Sequence, residues 1–319
     1  MSHSKSQNQA KYLLSRISGI PVEGLNDDEL SSLADSKARL YYYAYETDSC
    51  LEEIQLIESR LRGRRYVNTT MGSLHTGLGA VACCRGNYAE ARNKFRDAYD
   101  IAARLGNDAA RATRAIQVAL CSLRLGEYDE AIYWGLFAMK NAGSQFRGHL
   151  DCQCATYLGW SHALQNNHQK AYEAISWLDR RLPGNIPAWL NQSWLLGKAD
   201  TLLLLGQFRD AVQIGLEAVG KPQPVLHSIF QGGPFARWLA FSARGTSAEP
   251  RALEQIQHMT RRLESFDALD QLEIVCAEHL LRTYSPATIE GSTPWFRERL
   301  SHLPQAVSQQ LIRLGLIIS

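Results

Sequence analysis

The sequence predicts an all-α fold, a right-handed superhelical solenoid built from antiparallel helix pairs. A short turn-and-helix motif recurs along the chain, and small residues recur at matching points on both helices of each unit. No stretch carries the sustained alternation of apolar and polar residues that is typical of β-strands. Because the chain is an array, its 319 residues do not indicate a number of globular domains.

The recurring motif begins with a tight polar turn and runs into an apolar helix. Its copies stand 40 residues apart and are marked by four alanines, Ala91, Ala131, Ala171 and Ala211. Five residues before each alanine stands Gly86, Gly126, Asn166 or Gly206, three before it Tyr88, Tyr128, His168 or Phe208, and twelve before it Gly79, Ala119, Gly159 or Ala199. We expect the small residues to mark where the two helices approach closely, and the rings to fill the wedge between them.

This pattern, closed by a second small residue such as Ala98, Ala138 or Ala218, resembles the tetratricopeptide repeat family. The resemblance is clearest over residues 70–220. The unit is longer than the family's usual ~34 residues, and glycines stand at 135 and 215 where one copy has the large Phe95. Longer units with the linker at 103–107 are similar to those of bacterial regulators of the maltose-activator type and related peptide-sensing proteins.

The helical pattern continues on both sides of the clear copies. Residues 1–30 predict an N-terminal helix and linker, with a capping box at Asn26 and Glu29. Residues 31–255 predict the array, including a fifth pair that brings Ala252 near the expected position. Residues 256–319 predict a degenerate repeat and helices that cap the array, the last of which starts at Pro304.

Composition argues against several classes of partner. The formal net charge of +2 provides no field that would favour nucleic acid. The polar N-terminus lacks a signal pattern, and no run reaches the roughly 18 apolar residues of a membrane span, so we expect a cytoplasmic protein without a membrane partner. The seven cysteines are an odd number and mostly fall within helical patterns, which predicts reduced, packed thiols.

Successive first helices of a solenoid line a concave groove, where we expect the ligand-facing side chains. The predicted groove residues are His75, Thr76, Arg114, Gln117, Gln153, Tyr157, Trp160, Asn191, Trp194 and Asp200. Aromatic rings beside amide and arginine groups are typical of peptide-binding surfaces. Each assignment depends on register, because an error of one residue turns a helix by about 100° and moves the side chain into the core.

No catalytic constellation emerges, and we predict a non-enzymatic protein without cofactor or metal. The glycine-rich stretch at 72–79 lacks the lysine of a phosphate-binding loop, and the spacing of His149, Cys152, Cys154 and His162 matches no standard zinc site. A candidate anion patch consists of Arg62, Arg64, Arg65 and Arg111. The alternative is that the first three of these simply oppose a helix dipole.

Three functions are compatible with this sequence. We favour a protein-interaction module whose groove binds a peptide or partner protein, acting as an adaptor or as a sensor in a regulatory system. In the second, the groove is a small-effector or signalling-peptide sensor of a transcriptional regulator. The least favoured is RNA binding through Arg64, Arg65, Arg92, Arg96, Arg111 and Arg114. The apolar end, residues 314–318, predicts internal docking or a homodimer through the C-terminal helices.

Overall fold

The computed structural model describes residues 11–21, 69–141, 147–220, 232–261, 266–288 and 293–318, with isolated positions between 24 and 59 and at 263. Residues 11–17 are helical. The array that follows is made of antiparallel pairs: α1 (Thr69–Arg85) with α2 (Tyr88–Arg104), α3 (Asp108–Leu125) with α4 (Tyr128–Asn141), α5 (His149–Leu164) with α6 (His168–Arg181), α7 (Ala188–Leu204) with α8 (Phe208–Gly220), and α9 (Gly232–Ala243) with α10 (Glu249–Thr260). First helices α3, α5, α7 and α9 pack one upon the next, so the predicted all-α solenoid is confirmed.

The turns between paired helices confirm the 40-residue register. Gly86, Gly126 and Gly206 adopt φ values of 84°, 81° and 75°, and Asn166 takes the same left-handed conformation at 58°. This conformation ends a helix sharply, and glycine and asparagine adopt it at little cost. The local residue pattern therefore encodes the place where each first helix stops.

The alanines of the motif lie where the helices touch. Ala91, Ala171 and Ala211 are completely buried, and Ala131 is 2% exposed. Gly135 and Gly215, which stand where the family has a large residue, allow close contact between neighbouring helix pairs. A Cβ on Gly135 would lie 2.8 Å from Cδ2 of Leu158, and one on Gly215 would collide with the Trp238 ring. Each glycine thus accepts a large side chain of the following first helix.

After the array the chain turns back on itself. Helix α11 (Ala268–Thr283) packs on α9 and α10 and is followed by β1 (Ala287–Thr288), α12 (Pro294–Ser301), α13 (Gln305–Arg313) and β2 (Ile317–Ile318). Strands β1 and β2 form a short parallel pair. We call this segment, α11 to β2, the C-terminal plug. Pro304 directly precedes α13, as predicted.

The plug contacts the beginning of the array as well as its end. Phe296, Val307 and Leu311 share one buried cluster with Tyr88 and Phe95 of α2. Leu316 and Ile317 are 1% and 2% exposed, so the apolar end docks internally. The sequence predicted C-terminal helices that cap the array, and in the structure α12 and α13 pack across its first pairs. Burial of their apolar stripes against α2 stabilises this arrangement.

The plug also explains why the predicted ring contacts hold at some turns and not at others. Tyr88 is 1% exposed, and its hydroxyl donates to Asp267 at 3.2 Å and accepts from the Leu269 amide at 3.1 Å. Phe208, at the equivalent place in the fourth pair, is 60% exposed, and His168 is exposed as well. The expectation that each ring fills the wedge between its paired helices therefore holds for Tyr88, which the plug covers, and not for the exposed Phe208 and His168.

The described cysteines are free and buried, which confirms the prediction of packed thiols: Cys83, Cys84, Cys121, Cys152, Cys154 and Cys276. Burial raises the pKa of the Cys84 and Cys152 thiols to about 12. A thiol with so high a pKa is a poor nucleophile and a poor metal ligand at neutral pH. Across the described ranges, no helix has the length and apolar character needed to cross a membrane.

Candidate functional site

Residues of three first helices enclose a narrow cleft. It measures about 30 Å³, and its wall is formed by Cys152, Gln153, Thr156, Tyr157 and Trp160 of α5, Ser193, Leu196, Gly197 and Asp200 of α7, and Pro234 of α9. We call it the inner cleft. Every wall residue belongs to a first helix, the helices that the sequence predicts to line the groove.

Close contact between α5 and α7 keeps the inner cleft narrow. A Cβ on Gly159 would lie 2.9 Å from the Thr201 hydroxyl oxygen, and one on Gly197 would lie 2.9 Å from Cγ2 of Thr156. The Trp160 indole also donates to the Gly197 carbonyl at 3.4 Å. These reciprocal contacts fix the distance between the two helices, so the cleft is part of a rigid scaffold.

The structure brings four predicted groove residues together, namely Gln153, Tyr157, Trp160 and Asp200. Tyr157, Trp160 and Asp200 are largely buried, at 6%, 9% and 0% exposure, so they form the floor of the cleft. Arg114 and Gln117, half-buried on α3, are joined by a hydrogen bond of 2.9 Å. Gln117 stands one 40-residue repeat before Tyr157 and extends this surface by one helix pair.

The other predicted groove residues lie elsewhere. His75 is 3.5 Å from Asp97 of α2, and the Thr76 hydroxyl donates to the Gly72 carbonyl within its own helix. Trp194 is 2% exposed and donates to Asp179 of α6 at 3.1 Å, so it faces the second helix of its pair. Asn191 is half-buried in the first turn of α7. Trp194 and Asn191 stand one and two residues from Ser193 of the cleft wall.

A buried layer of charge lies beneath the inner cleft. Asp200 accepts hydrogen bonds from Arg237 and, at 2.7 Å, from the Trp238 indole. On its other side Arg237 pairs with Glu273 of the plug at 2.9 Å. These ion pairs connect α7, α9 and α11, so the floor of the cleft and the plug are electrostatically coupled.

The same layer extends to the second helix pair. Arg124, at the end of α3, lies 3.4 Å from Asp267 and 3.7 Å from Asp270. Its guanidinium also donates to Gln310 of α13 at 3.1 Å. A cavity of about 10 Å³ lies among Arg124, Asp200, Glu273 and Gln310, which is room for about one water molecule.

Burial governs the ionisation of this layer. Desolvation raises the pKa of Asp200 and of Asp270, and it raises the pKa of Glu273 to about 7. The guanidinium groups of Arg237 and Arg124 oppose the shift at Glu273, because an opposite charge favours the carboxylate. Burial therefore favours the neutral form of the Glu273 carboxyl group.

Four charged residues of this layer were not among the predicted site residues, namely Arg124, Arg237, Asp270 and Glu273. A usable signal was present, since Arg237 interrupts the apolar run "GPFARWLAF" and Glu273 interrupts "DQLEIVCA". A charged residue inside an apolar helix is rarely buried without a partner. Which charges pair could not be read, because the partners are far apart in the chain.

The candidate anion patch is described only at Arg111, because Arg62, Arg64 and Arg65 lie outside the described residues. Arg111 donates to Asp108 at 2.9 Å and to the Tyr99 hydroxyl at 3.2 Å, and its guanidinium lies over the ring of Phe137. Its hydrogen bonds therefore stay within neighbouring repeats.

Two arginines considered for RNA are also in ion pairs. Arg92 pairs with Glu127 and with Glu130, the latter at 2.7 Å, and Arg96 pairs with Glu130. Among the described residues, no group of three or more His, Cys, Asp or Glu side chains is arranged to hold a metal ion.

Part of the array is similar to a known repeat family. A model of the tetratricopeptide repeat matches residues 70–142. This match covers the first two helix pairs. Curated proteins include no match to this chain.

Two solved structures are also similar to this chain. A Rap protein complexed with Competence and Sporulation Factor has a TM-score of 0.60 at 12% identity, covering 98% of this chain and 84% of that one. BtubC (BKLC) from P. vanneervenii has a TM-score of 0.47 at 15% identity and covers 70% and 92%, respectively. The Rap likeness shows that the fold of the described residues is shared beyond the two matched repeats.

Proposed function

We propose that this protein is an interaction module whose inner cleft binds an extended peptide segment of a partner. The observation that supports this most strongly is the composition of the cleft, which combines the Tyr157 and Trp160 rings with amide and hydroxyl groups on successive first helices. Extended ligands bind concave solenoid faces by placing side chains into pockets and hydrogen-bonding along the helices. Rigid aromatic anchors contribute much of the affinity of such surfaces.

The size of the cleft favours a peptide over a whole small effector. Its volume of about 30 Å³ is far below the roughly 300–1,000 Å³ of typical small-molecule pockets. One side-chain tip fits there, while the remainder of a peptide would cross Gln153 and Ser193, which stand 40 residues apart in the same register. Gln117 and Arg114 offer further contacts on the preceding pair.

Such a module would act as an adaptor or as the sensing part of a regulatory system. The Rap protein, which has a similar fold, was solved in complex with Competence and Sporulation Factor. A solenoid of this shape can therefore hold a second molecule. The contact between the cleft floor and the plug, through Asp200, Arg237 and Glu273, provides a physical route by which an occupied cleft would affect the C-terminal helices.

The proposal is tested by selecting a random peptide display library on the full chain and measuring affinities of the enriched peptides by fluorescence polarisation. Gln153→Arg places a bulky charge at the mouth of the cleft and should weaken binding at least about tenfold, a loss of about 1.4 kcal/mol. Gln169→Arg, an exposed change on α6, is the matched control and should bind normally. Equal affinity of both variants, or no enrichment of peptides, would contradict the proposal.

A further inference from the structure

Asp200 distributes its hydrogen bonds unevenly. Its Oδ1 accepts from both Arg237 and Trp238, whereas its Oδ2 is buried and has no hydrogen-bond partner among the described residues. The side chain is 0% exposed and belongs to the wall of the inner cleft. A buried carboxylate oxygen without a donor is costly, so a donor that reaches it through the cleft would bind favourably.

The charged groups around Asp200 also favour an added positive charge. Within the described part of the chain, the buried ion-pair layer contains four carboxyl groups, those of Asp200, Asp267, Asp270 and Glu273. They face two buried guanidinium groups, Arg124 and Arg237. Carboxyl groups thus outnumber cations, and either bound protons or an added cation can restore the balance.

The rest of the cleft wall suits a small cation. The centroids of the Tyr157 and Trp160 rings are 6.1 Å apart. The Arg124 guanidinium lies over the Trp160 ring, 5.7 Å from its centroid. Ring faces attract cations, most strongly where water is excluded. A volume of about 30 Å³ corresponds to about two water molecules, the size of an ammonium group and its adjoining methylene. A planar guanidinium requires more room.

We propose that the inner cleft is an ammonium-binding subsite, in which Asp200 Oδ2 accepts a hydrogen bond from a primary ammonium group held against Tyr157 and Trp160. Applied to the peptide ligand, the ammonium subsite rests on the proposed function. It then specifies that the peptide inserts a lysine side chain or its N-terminal amine. Both sources present the same ammonium chemistry.

The subsite is tested without any peptide, by ligand-detected NMR titration of the full chain with two probes of equal length, n-butylammonium and n-butanol. We expect n-butylammonium to bind at least about tenfold more tightly, since hydrogen bonds to charged groups are the stronger kind. Asp200→Asn retains an oxygen for Arg237 and should abolish this preference. Asp100→Asn makes the same change of net charge at an exposed position on α2 and should leave the preference intact.

Equal binding of the two probes by the wild-type chain would overturn the subsite whether or not any variant folds. A preference that survives Asp200→Asn would overturn it as well. The subsite and the proposed peptide-binding function would fail in different ways. Peptides that bind at the cleft without a basic residue or a free amine would contradict the subsite alone. Ammonium selectivity without peptide binding would contradict the peptide-binding function alone. In a selected peptide, N-acetylation and Lys→norleucine replacement separate the two ammonium sources.

Discussion

Gln310 and Arg124 are 186 positions apart, yet the Arg124 guanidinium donates to the Gln310 side-chain oxygen at 3.1 Å. The Gln310 amide nitrogen in turn donates to the Leu123 carbonyl at 3.2 Å. One plug side chain thus satisfies both a buried charge and the carbonyl end of α3. Through it the C-terminal plug is fastened to the second helix pair.

Gln310→Ala should lower the free energy of unfolding by about 1–3 kcal/mol, because it removes an acceptor from a buried cation and a donor from a buried carbonyl. Urea denaturation measures the loss. Gln309→Ala, at the exposed neighbouring position, should change stability by less than about 0.5 kcal/mol. Equal effects of the two substitutions would show that the plug is not fastened at this point.

Tyr88 and Phe208 occupy equivalent places in their repeats but differ in solvent exposure. Tyr88→Ala should cost about 3–5 kcal/mol, since it removes a buried ring and two hydrogen bonds to the plug. Phe208→Ala should cost less than about 1 kcal/mol because that ring is 60% exposed. Thermal or urea unfolding of the two variants checks this, and similar losses would contradict the docking of the plug on the first turn.

Stability should fall as the pH rises from about 5 to about 8. The folded chain raises the pKa of Glu273 from 4.5 to about 7, so it binds a proton that the unfolded chain releases. This contribution is fully present below about pH 4.5 and is lost as the pH passes through about 7. Asp270, whose pKa is raised by burial and then by Asp267, acts in the same direction.

Urea unfolding at several pH values measures this dependence. Glu273→Gln should flatten the slope, because the amide does not titrate, while Glu298→Gln, on the exposed face of α12, should leave the slope unchanged. A slope that is unaltered in the Glu273→Gln variant would show that this carboxyl group does not take up a proton on folding.

The contact between α5 and α7 predicts an unfavourable response to added volume. Gly159→Ala places a methyl group 2.9 Å from the Thr201 hydroxyl oxygen and should cost about 1–3 kcal/mol despite alanine's better helix propensity. Gly72→Ala is the control, since the nearest atom there is Ile101 Cγ2 at 3.5 Å, and it should be neutral or stabilising. Recovery of stability in the Gly159→Ala/Thr201→Ala double variant would show that the strain arises at this contact. A double variant as unstable as Gly159→Ala alone would contradict that assignment.

The repeats could be predicted from the sequence because their determinants are local. Gly126 and Asn166 end their helices through backbone conformations that few residues adopt readily, and Ala131 and Ala171 stand at fixed distances from them. Short-range spacing of this kind is visible in one sequence. It specifies where each helix begins and which residues face the paired helix.

The site could be predicted only in part. Gln153, Tyr157 and Asp200, which the sequence placed among the groove residues, meet in one cleft. Trp194 faces α6 instead, because a change of a few residues rotates a side chain around the helix. The position of the plug against the first pairs could not be predicted, because its contacts, such as Arg124 with Gln310, have no local sequence signature.

The most direct test of the account is amide hydrogen exchange of the full chain with and without a selected peptide. Binding in the inner cleft predicts slower exchange in α5 and α7, where Gln153 and Ser193 face the ligand, and unchanged exchange in the second helices α4 and α6. Slower exchange confined to α4 and α6 would place the peptide on the outer surface and contradict the central claim.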